Sequence, residues 1–304
     1  MAKPPPRELL SVLDFIRYAV TRFSEVKLAF GQGTRDAVEE AIFLVSEALG
    51  LPNDRIDSFL PARITSAERR RIFALIEKRV RLRVPAAYLL NCAYLQGMRF
   101  TIDKRVIVPR SYLAELLYGD LFSGETPLVD PTTVTRVLDL CTGSGCLAVL
   151  ACHVFPNAQV DATDKSKEAL QVAEINVAEH DVKDRVTLLK GDLFGPIGDT
   201  VYDIILANPP YVDAKAIAKL PKEFSHEPRL ALAGGADGLN IVRRILAEAG
   251  AHLSPQGGLL CEIGRGREIL ERDYPEKDLL WLDTEESSGE VFWITAAALR
   301  ESKG

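Results

Sequence analysis

The chain has 304 residues, room for about two domains, and 47% apolar with 26% charged residues excludes a disordered or fibrous chain. The formal charge of −6 argues against wholesale polyanion binding, but it is uneven: +4 over residues 1–90 and −10 over 91–304. That split predicts two surfaces with different partners.

Taken in chain order, residues 1–90 read as a helical domain. Leu9, Leu10, Leu13, Ile16 and Val20 recur at helical spacing, as do Val38, Ile42, Val45 and Leu49 over 35–49, where Gly50 is a stop signal. Thr65 and Glu68 have the spacing of a capping box before a third helix over 66–82. Residues 91–110 change character. Ala93–Ile102 and Val106–Val108 alternate around Asp103–Lys104, which predicts a β-hairpin linker. Residues 124–132, with Pro127 and Pro131, read as a loop.

From residue 134 strands and helices alternate. Strands are expected at 134–140, 158–162, 186–189, 202–207, 258–263, 279–282 and 290–296, with helices over 166–180 and 238–252. This alternation predicts an α/β domain over 111–304 with a mostly parallel sheet covered on both faces.

Five cysteines (Cys92, Cys141, Cys146, Cys152, Cys261) have no CxxC pair, and four histidines have none at i, i+4 spacing. Neither a disulfide framework nor a metal site is expected. The opening MAKPPPRELL has no apolar leader segment and no run reaches about 18 apolar residues, which predicts a soluble cytoplasmic protein with reduced thiols and no membrane partner.

Three constellations carry chemistry. The first is Asp139-Leu-Cys141-Thr142-Gly143-Ser144-Gly145, placed between a strand and a helix so that its backbone can approach a ligand closely. The second is Asp164, 19 residues beyond Gly145 at the end of the next strand, where a carboxylate can accept from both ribose hydroxyls. Asp192 and Leu193 after the third strand add a polar group and an apolar wall for an adenine ring. The pattern is GxG without a third glycine, and no GKS or GKT occurs, so an adenosyl group without phosphates fits better than a dinucleotide. The third is Asn208-Pro209-Pro210-Tyr211 at the tip of the strand 202–207. Two prolines stop sheet and helix and remove two N–H donors, which leaves acceptors: the Asn208 side-chain oxygen and backbone carbonyls. Such a segment suits a planar group bearing NH2, with Tyr211 offering a flat face.

With these motifs, residues 134–299 resemble the class I S-adenosylmethionine-dependent methyltransferases that modify amino nitrogens. NPPY is shared by adenine-N6 DNA methyltransferases and by protein glutamine-N5 methyltransferases of the HemK type. Val108-Pro-Arg-Ser111, Asp139–Gly145, Asn208–Asp213, His226-Glu-Pro228 and 232–239 (LAGGADGL) together resemble the branch acting on the third protein of the large ribosomal subunit. The branch acting on peptide release factors usually has Pro-Arg-x-Glu-Thr where this chain has Pro109-Arg110-Ser111-Tyr112, and glycine at Cys141. The resemblance implies a Rossmann-like, seven-stranded sheet, an N-terminal helical substrate-recognition domain, and S-adenosyl-L-methionine as methyl donor, leaving S-adenosyl-L-homocysteine. It implies that Asp139, Cys141, Thr142, Gly143, Ser144, Gly145, Asp164, Asp192, Leu193 and Asn208 border the donor, and that Asn208, Pro209, Pro210 and Tyr211 bind the glutamine. Release-factor methylation, adenine-N6 methylation and a non-enzymatic adenosyl-binding scaffold are the alternatives.

Three features stay open at this level. Glu262 either touches substrate or caps the next turn. His226 sits in a loop, where an ordering role suffices. Residues 63–83 hold eight basic and two acidic residues, which suits either a solvated helix face or contact with ribosomal RNA. The acidic balance of 91–304 predicts an acidic mouth around Asn208, facing a basic ribosomal protein, free or in an assembly precursor.

Overall fold

The structure is a computed structural model and describes residues 4–124 and 127–301. The N-terminal layer is helical. Helix α1 (Val12–Glu25) starts at a capping box of Ser11 and Asp14, and α2 (Ala37–Leu49) is capped by Asp36 and ends at left-handed Gly50. Helix α3 (Ser66–Leu82) starts at the Thr65/Glu68 capping box, and a short α4 (Ala86–Leu90) follows. The buried stripes are rotated from the expected ones. Val12, Phe15, Ile16, Ala19 and Phe23 face inward from α1, while Leu13 is 51% and Val38 50% exposed. Three helices packed on one another choose the face that shares one core, and single leucines and valines outside it cost little.

Strands β1 (Cys92–Leu95) and β2 (Met98–Thr101) pair antiparallel. Their turn is Gln96–Gly97, both at positive φ, so the hairpin folds there and not at Asp103–Lys104. Residues 106–108 form no strand: Asp103 instead turns the chain by binding the Arg105 backbone and guanidinium. Helices α5 (Tyr112–Tyr118) and α6 (Asp120–Ser123) follow, neither anticipated from the sequence pattern. Residues 127–132 are irregular; the expected loop also includes Glu125 and Thr126, which lie outside the described residues.

The rest is a layered α/β body. In chain order it runs β3 (Arg136–Leu140), α7 (Cys146–Val154), β4 (Gln159–Asp164), α8 (Lys167–Glu179), β5 (Val186–Lys190), β6 (Tyr202–Ala207), β7 (Val212–Asp213), α9 (Ala214–Ile217), β8 (Ala233–Gly235), α10 (Asn240–Ala249), β9 (Leu253–Glu262), α11 (Arg267–Asp273), β10 (Leu280–Leu282), β11 (Val291–Thr295) and α12 (Ala296–Arg300). Seven of these strands form one sheet in the order β10-β11-β9-β6-β3-β4-β5, with β11 antiparallel to both its neighbours and the other pairs parallel. Alternate residues supply the two faces: Val137, Ile204 and Leu206 join the core under α5 and α7, and Leu138, Leu140, Ile205 and Ala207 the core under α10 and α12. This is the class I S-adenosylmethionine methyltransferase fold. Strand order reverses between β3 and β6, and a crevice opens beyond the carboxyl ends of strands at such a point.

A buried ionic cluster fastens the helical layer to this body. Arg79 donates to Glu40 at 2.6 Å and to the Ala29 carbonyl at 3.0 Å, and Arg83 approaches Glu223 to 2.8 Å. Arg79, Glu40 and Glu223 are all almost fully buried. Arg69 is also committed, to the Pro6 carbonyl at 2.7 Å. Three of the eight basic residues of 63–83 are therefore structural, which the run of charge in the sequence did not reveal.

Candidate active site

The loop after β3 is the base of the crevice. Cys141, Gly143 and Gly145 all have positive φ, a conformation that costs glycine little. A side chain at Gly145 would also press on Ala173 of α8, its Cβ lying 3.0 Å from that of Ala173. Asp139 lies beneath this loop, wholly buried, and accepts from the Thr142 hydroxyl at 2.5 Å; burial pushes its carboxyl up to about 7. Thr142, Ser144 and Gly145 stand behind the wall with it, while Cys141 and Gly143 face the cavity. Asp164 ends β4 and accepts from the Gly143 amide at 2.9 Å and the Ser166 amide at 2.7 Å. Burial raises its carboxyl, against the pull of these amides.

Cys141 and Gly143 line a cavity of about 1000 Å³, measured out to its open mouth. Asp164, Asp192, Leu193, Asn208 and Pro210 line it too, joined by Leu230 and Ile241. Its cations are committed: Arg105 to Asp103, and Lys165 and Arg244 to Asp192. With no uncommitted cation lining it among the described residues, the site is poor for a pyrophosphate. Asp164 at a strand end with an apolar wall suits an uncharged ribose and purine, and the residues present fit an adenosyl group.

A second cavity, about 610 Å³ out to its open side, lies across Asn208 from the first. Ile107, Arg110, Pro209, Tyr211, Leu220 and Phe224 line it. Asn208, with Ile107 and Ala231, is common to both linings. It stands at the tip of β6, beside the strand-order reversal, because the two prolines end the strand there.

Tyr211 is held from three sides. Its hydroxyl donates to Glu262 at 2.8 Å, and Glu262 also accepts from the Ser111 hydroxyl at 2.7 Å and the Tyr112 amide at 3.0 Å. Glu262 is fully buried, and burial raises its carboxyl against these hydrogen bonds. It thus neither caps the next turn nor lines either cavity. The 232–239 segment packs on the Tyr211 backbone: a Cβ at Gly234 would come within 2.7 Å of Tyr211 Cα, and one at Gly238 within 2.4 Å of its carbonyl oxygen. Gly264 closes on the ring itself, where a Cβ would lie 2.7 Å from Cδ2.

Arg110 and Glu227 pair beside this second cavity. The guanidinium grips the buried carboxylate through two bonds of 2.6 and 2.9 Å and lies 5.6 Å from the centre of the Phe224 ring. Glu227 also accepts from the Val108 amide at 3.1 Å. His226 lines neither cavity; its Nε2 sits 3.1 Å from the Leu82 carbonyl of α3. The Arg110–Glu227 and Ser111–Glu262–Tyr211 contacts were not foreseen from sequence. The motifs that contain them were visible, but their partners lie over a hundred residues away or on another loop.

The segment that flanks this cavity exposes basic charge, and Asp213 just before it caps α9. In residues 214–229 the only carboxylates, Glu223 and Glu227, are buried and taken up by Arg83 and Arg110, while Lys215, Lys219, Lys222 and Arg229 are exposed. Among the described residues no group of three or more metal-binding side chains occurs, and no helix is long and apolar enough to cross a membrane.

Fold and site together define a methyltransferase, and residues 126–236 match the family description "Methyltransferase small domain". Proteins named ribosomal protein uL3 glutamine methyltransferase are similar over almost the whole chain. That of Bradyrhizobium diazoefficiens is 58% identical, covering 98% of this chain and 95% of its own. That of Bordetella pertussis is 50% identical over 96% and 97%, and that of Burkholderia pseudomallei 48% over 97% and 97%. The chain belongs to the family of ribosomal protein uL3 glutamine methyltransferases.

Proposed function

We propose that this enzyme transfers a methyl group from S-adenosyl-L-methionine to the side-chain amide nitrogen of a glutamine in ribosomal protein uL3, in the cytoplasm. The observation that carries this is Asn208 standing between two cavities, one suited to an adenosyl group and the other lined by Asn208 and Pro209, whose oxygens can accept from an amide NH2. Similarity to relatives named for this activity supports the substrate. Residues 1–90 serve as the substrate-recognition domain, 91–110 as linker and 111–304 as the transferase domain.

S-adenosylmethionine, when bound, supplies an electrophilic methyl group on a positively charged sulfur. Cys141, Gly143, Asp164, Asp192, Leu193 and Asn208 border it, with Asp164 accepting from the ribose; Asp139, Thr142, Ser144 and Gly145 hold that wall in shape. A glutamine amide nitrogen is a weak nucleophile because its lone pair is shared with the carbonyl. The Asn208 side-chain oxygen and the Pro209 carbonyl each accept one of its N–H groups, fixing the nitrogen and leaving its lone pair aimed across the wall. These bonds strengthen as positive charge grows on nitrogen, so they favour the transition state, and positioning of this kind contributes about 7–11 kcal/mol. Pro210 stiffens the segment, and Tyr211, fixed by Glu262, presents its flat ring to the amide plane. Once the N–C bond has formed, nitrogen loses a proton; no carboxylate or histidine lines this cavity among the described residues, so the proton leaves to water.

The test is transfer in vitro from labelled donor to purified uL3, with peptide release factors and DNA as competing acceptors, read by mass spectrometry. One methyl on one glutamine of uL3 is expected. Label on release factors or adenine and none on uL3 would overturn the assignment. The basic run within 63–83 is offered to ribosomal RNA, and with Arg69, Arg79 and Arg83 committed internally that role falls to Arg63, Arg70, Arg71, Lys78 and Arg81.

A further inference from the structure

Two basic segments far apart in sequence meet beside the acceptor cavity. On α3, Arg70, Arg71, Lys78 and Arg81 are exposed and share one face of the helix, spanning about 16 Å at 1.5 Å per residue. Glu77 on the border of that face is already taken up by Arg22 and the Tyr18 hydroxyl. The second segment is the 214–229 rim, whose Lys215, Lys219, Lys222 and Arg229 are exposed, and whose carboxylates are both buried. None of these eight cations forms an ion pair within 4 Å among the described residues. The C-terminal end of α3 is tied to the middle of the rim: His226 meets the Leu82 carbonyl at 3.1 Å, and Arg83 meets Glu223 at 2.8 Å.

The sign of this rim is the informative point. A bare ribosomal protein is generally basic, and a basic rim repels it. The same protein wrapped in RNA presents phosphates, which a row of lysines and arginines neutralises with release of counterions. Leu220 and Phe224, on the inner side of the rim, already line the acceptor cavity, so whatever lies on the rim sits beside the reacting amide.

We propose that the enzyme recognises its acceptor protein together with the RNA to which that protein is bound, with the RNA phosphates running from α3 onto the 214–229 rim. This rests on the assignment of a ribosomal protein as acceptor.

Two measurements on the full chain test it. In the first, affinity for large-subunit ribosomal RNA alone is followed against salt for the natural enzyme, a rim variant (Lys215→Gln, Lys219→Gln, Lys222→Gln, Arg229→Gln), an α3 variant (Arg70→Gln, Arg71→Gln, Lys78→Gln, Arg81→Gln) and a control (Lys183→Gln, Lys190→Gln). The slope of log K against log salt should fall by about 1 for each phosphate that is no longer neutralised, hence by up to about 4 in either quadruple variant and not in the control. In the second, methyl transfer to RNA-free uL3 is compared with transfer to uL3 bound to ribosomal RNA. The natural enzyme should favour the RNA-bound form by about tenfold or more, and the ratio should drop towards one in the rim variant. Equal transfer to both forms by the natural enzyme, or unchanged salt slopes in both quadruple variants, overturns the proposal while leaving glutamine methylation standing. Transfer to neither form overturns the acceptor assignment instead, and the salt slopes then still decide the surface. Thermal melting of each variant separates weakened RNA binding from an unfolded chain.

Discussion

The two cavities that meet at Asn208 are built in different ways. The proposed donor side comes from strand ends: the loop after β3, Asp164 at the end of β4, Asp192 and Leu193 after β5, and Asn208 after β6. Each part lies within a few residues of a strand whose place the hydrophobic pattern dictates. The acceptor side comes from loops: 107–112, 208–212, 220–232 and, behind them, Glu262 and Gly264. Its parts are held by ion pairs, a buried carboxylate and close glycine contacts between segments distant in the chain. A strand-end site keeps its shape as long as the sheet does. A loop site needs its own fastenings, and here these are Glu227, Glu262 and the 232–239 turn.

That contrast can be broken at the shared wall first. Asn208→Ala should reduce turnover about 10²–10³-fold, the usual cost of removing one preorganised hydrogen-bonding group, while calorimetry finds donor affinity within a few-fold of the natural enzyme. A parallel loss of donor affinity would mean the two cavities are not separable at this residue.

On the donor side alone, Asp164→Ala should weaken S-adenosylmethionine binding about 10–100-fold, since bonds to a charged group contribute about 1.5–3 kcal/mol each. The acceptor KM should stay put; a rise of the same size would show that the donor wall also shapes the acceptor side.

Next in size is Glu227→Gln, which replaces the charged half of a bidentate pair with a neutral amide and loosens Arg110 and the Val108 amide. Steady-state kinetics should give an acceptor KM raised about tenfold with donor affinity untouched. Tyr211→Phe removes one hydrogen bond and leaves Glu262 its other two, from Ser111 and Tyr112. The expected cost is about 1 kcal/mol, seen as a several-fold fall in kcat with little change in melting temperature beyond that.

Smallest in its effect on transfer is Asp139→Asn. The folded Asp139 carboxyl holds its proton up to about pH 7, against an ordinary value of 3.8, so between these values the folded state binds the extra proton. Its contribution is full below about pH 4 and is lost as pH rises through about 7, with a slope of at most about 1.4 kcal/mol per pH unit. Urea midpoints taken across that range should show a flatter pH dependence in the variant. An unchanged profile would mean that Asp139 is already ionised in the folded protein.

How much was legible follows the same division. The helix starts at Ser66 and Lys167, the strand 202–207 and the alternation of strands and helices follow from caps and periodicity, which act over three or four residues. The GxG loop, Asp164 and Asn208 fall next to strand ends that this pattern places, and the structure puts them around one crevice. The hairpin turn was misplaced because Asp103–Lys104 and Gln96–Gly97 both suit a turn, and only pairing of Cys92 with Thr101 decides between them. The buried faces of α1 and α2 were misplaced because several rotations bury comparable apolar area until a partner helix selects one.

Charge shows the limit most clearly. Counting residues predicts an acidic mouth around Asn208; the structure puts Asp164 and Asp192 in one cavity beside it, while next to the other the 214–229 segment exposes four cations because Glu223 and Glu227 are spent inside. Periodicity determines the α/β class and the strands after which the GxG loop, Asp164 and the NPPY segment fall, since each depends on neighbours along the chain. Which carboxylates are buried, which arginines are committed and which loops close on Tyr211 depend on contacts between residues up to about two hundred positions apart, and those exist only once the chain has packed.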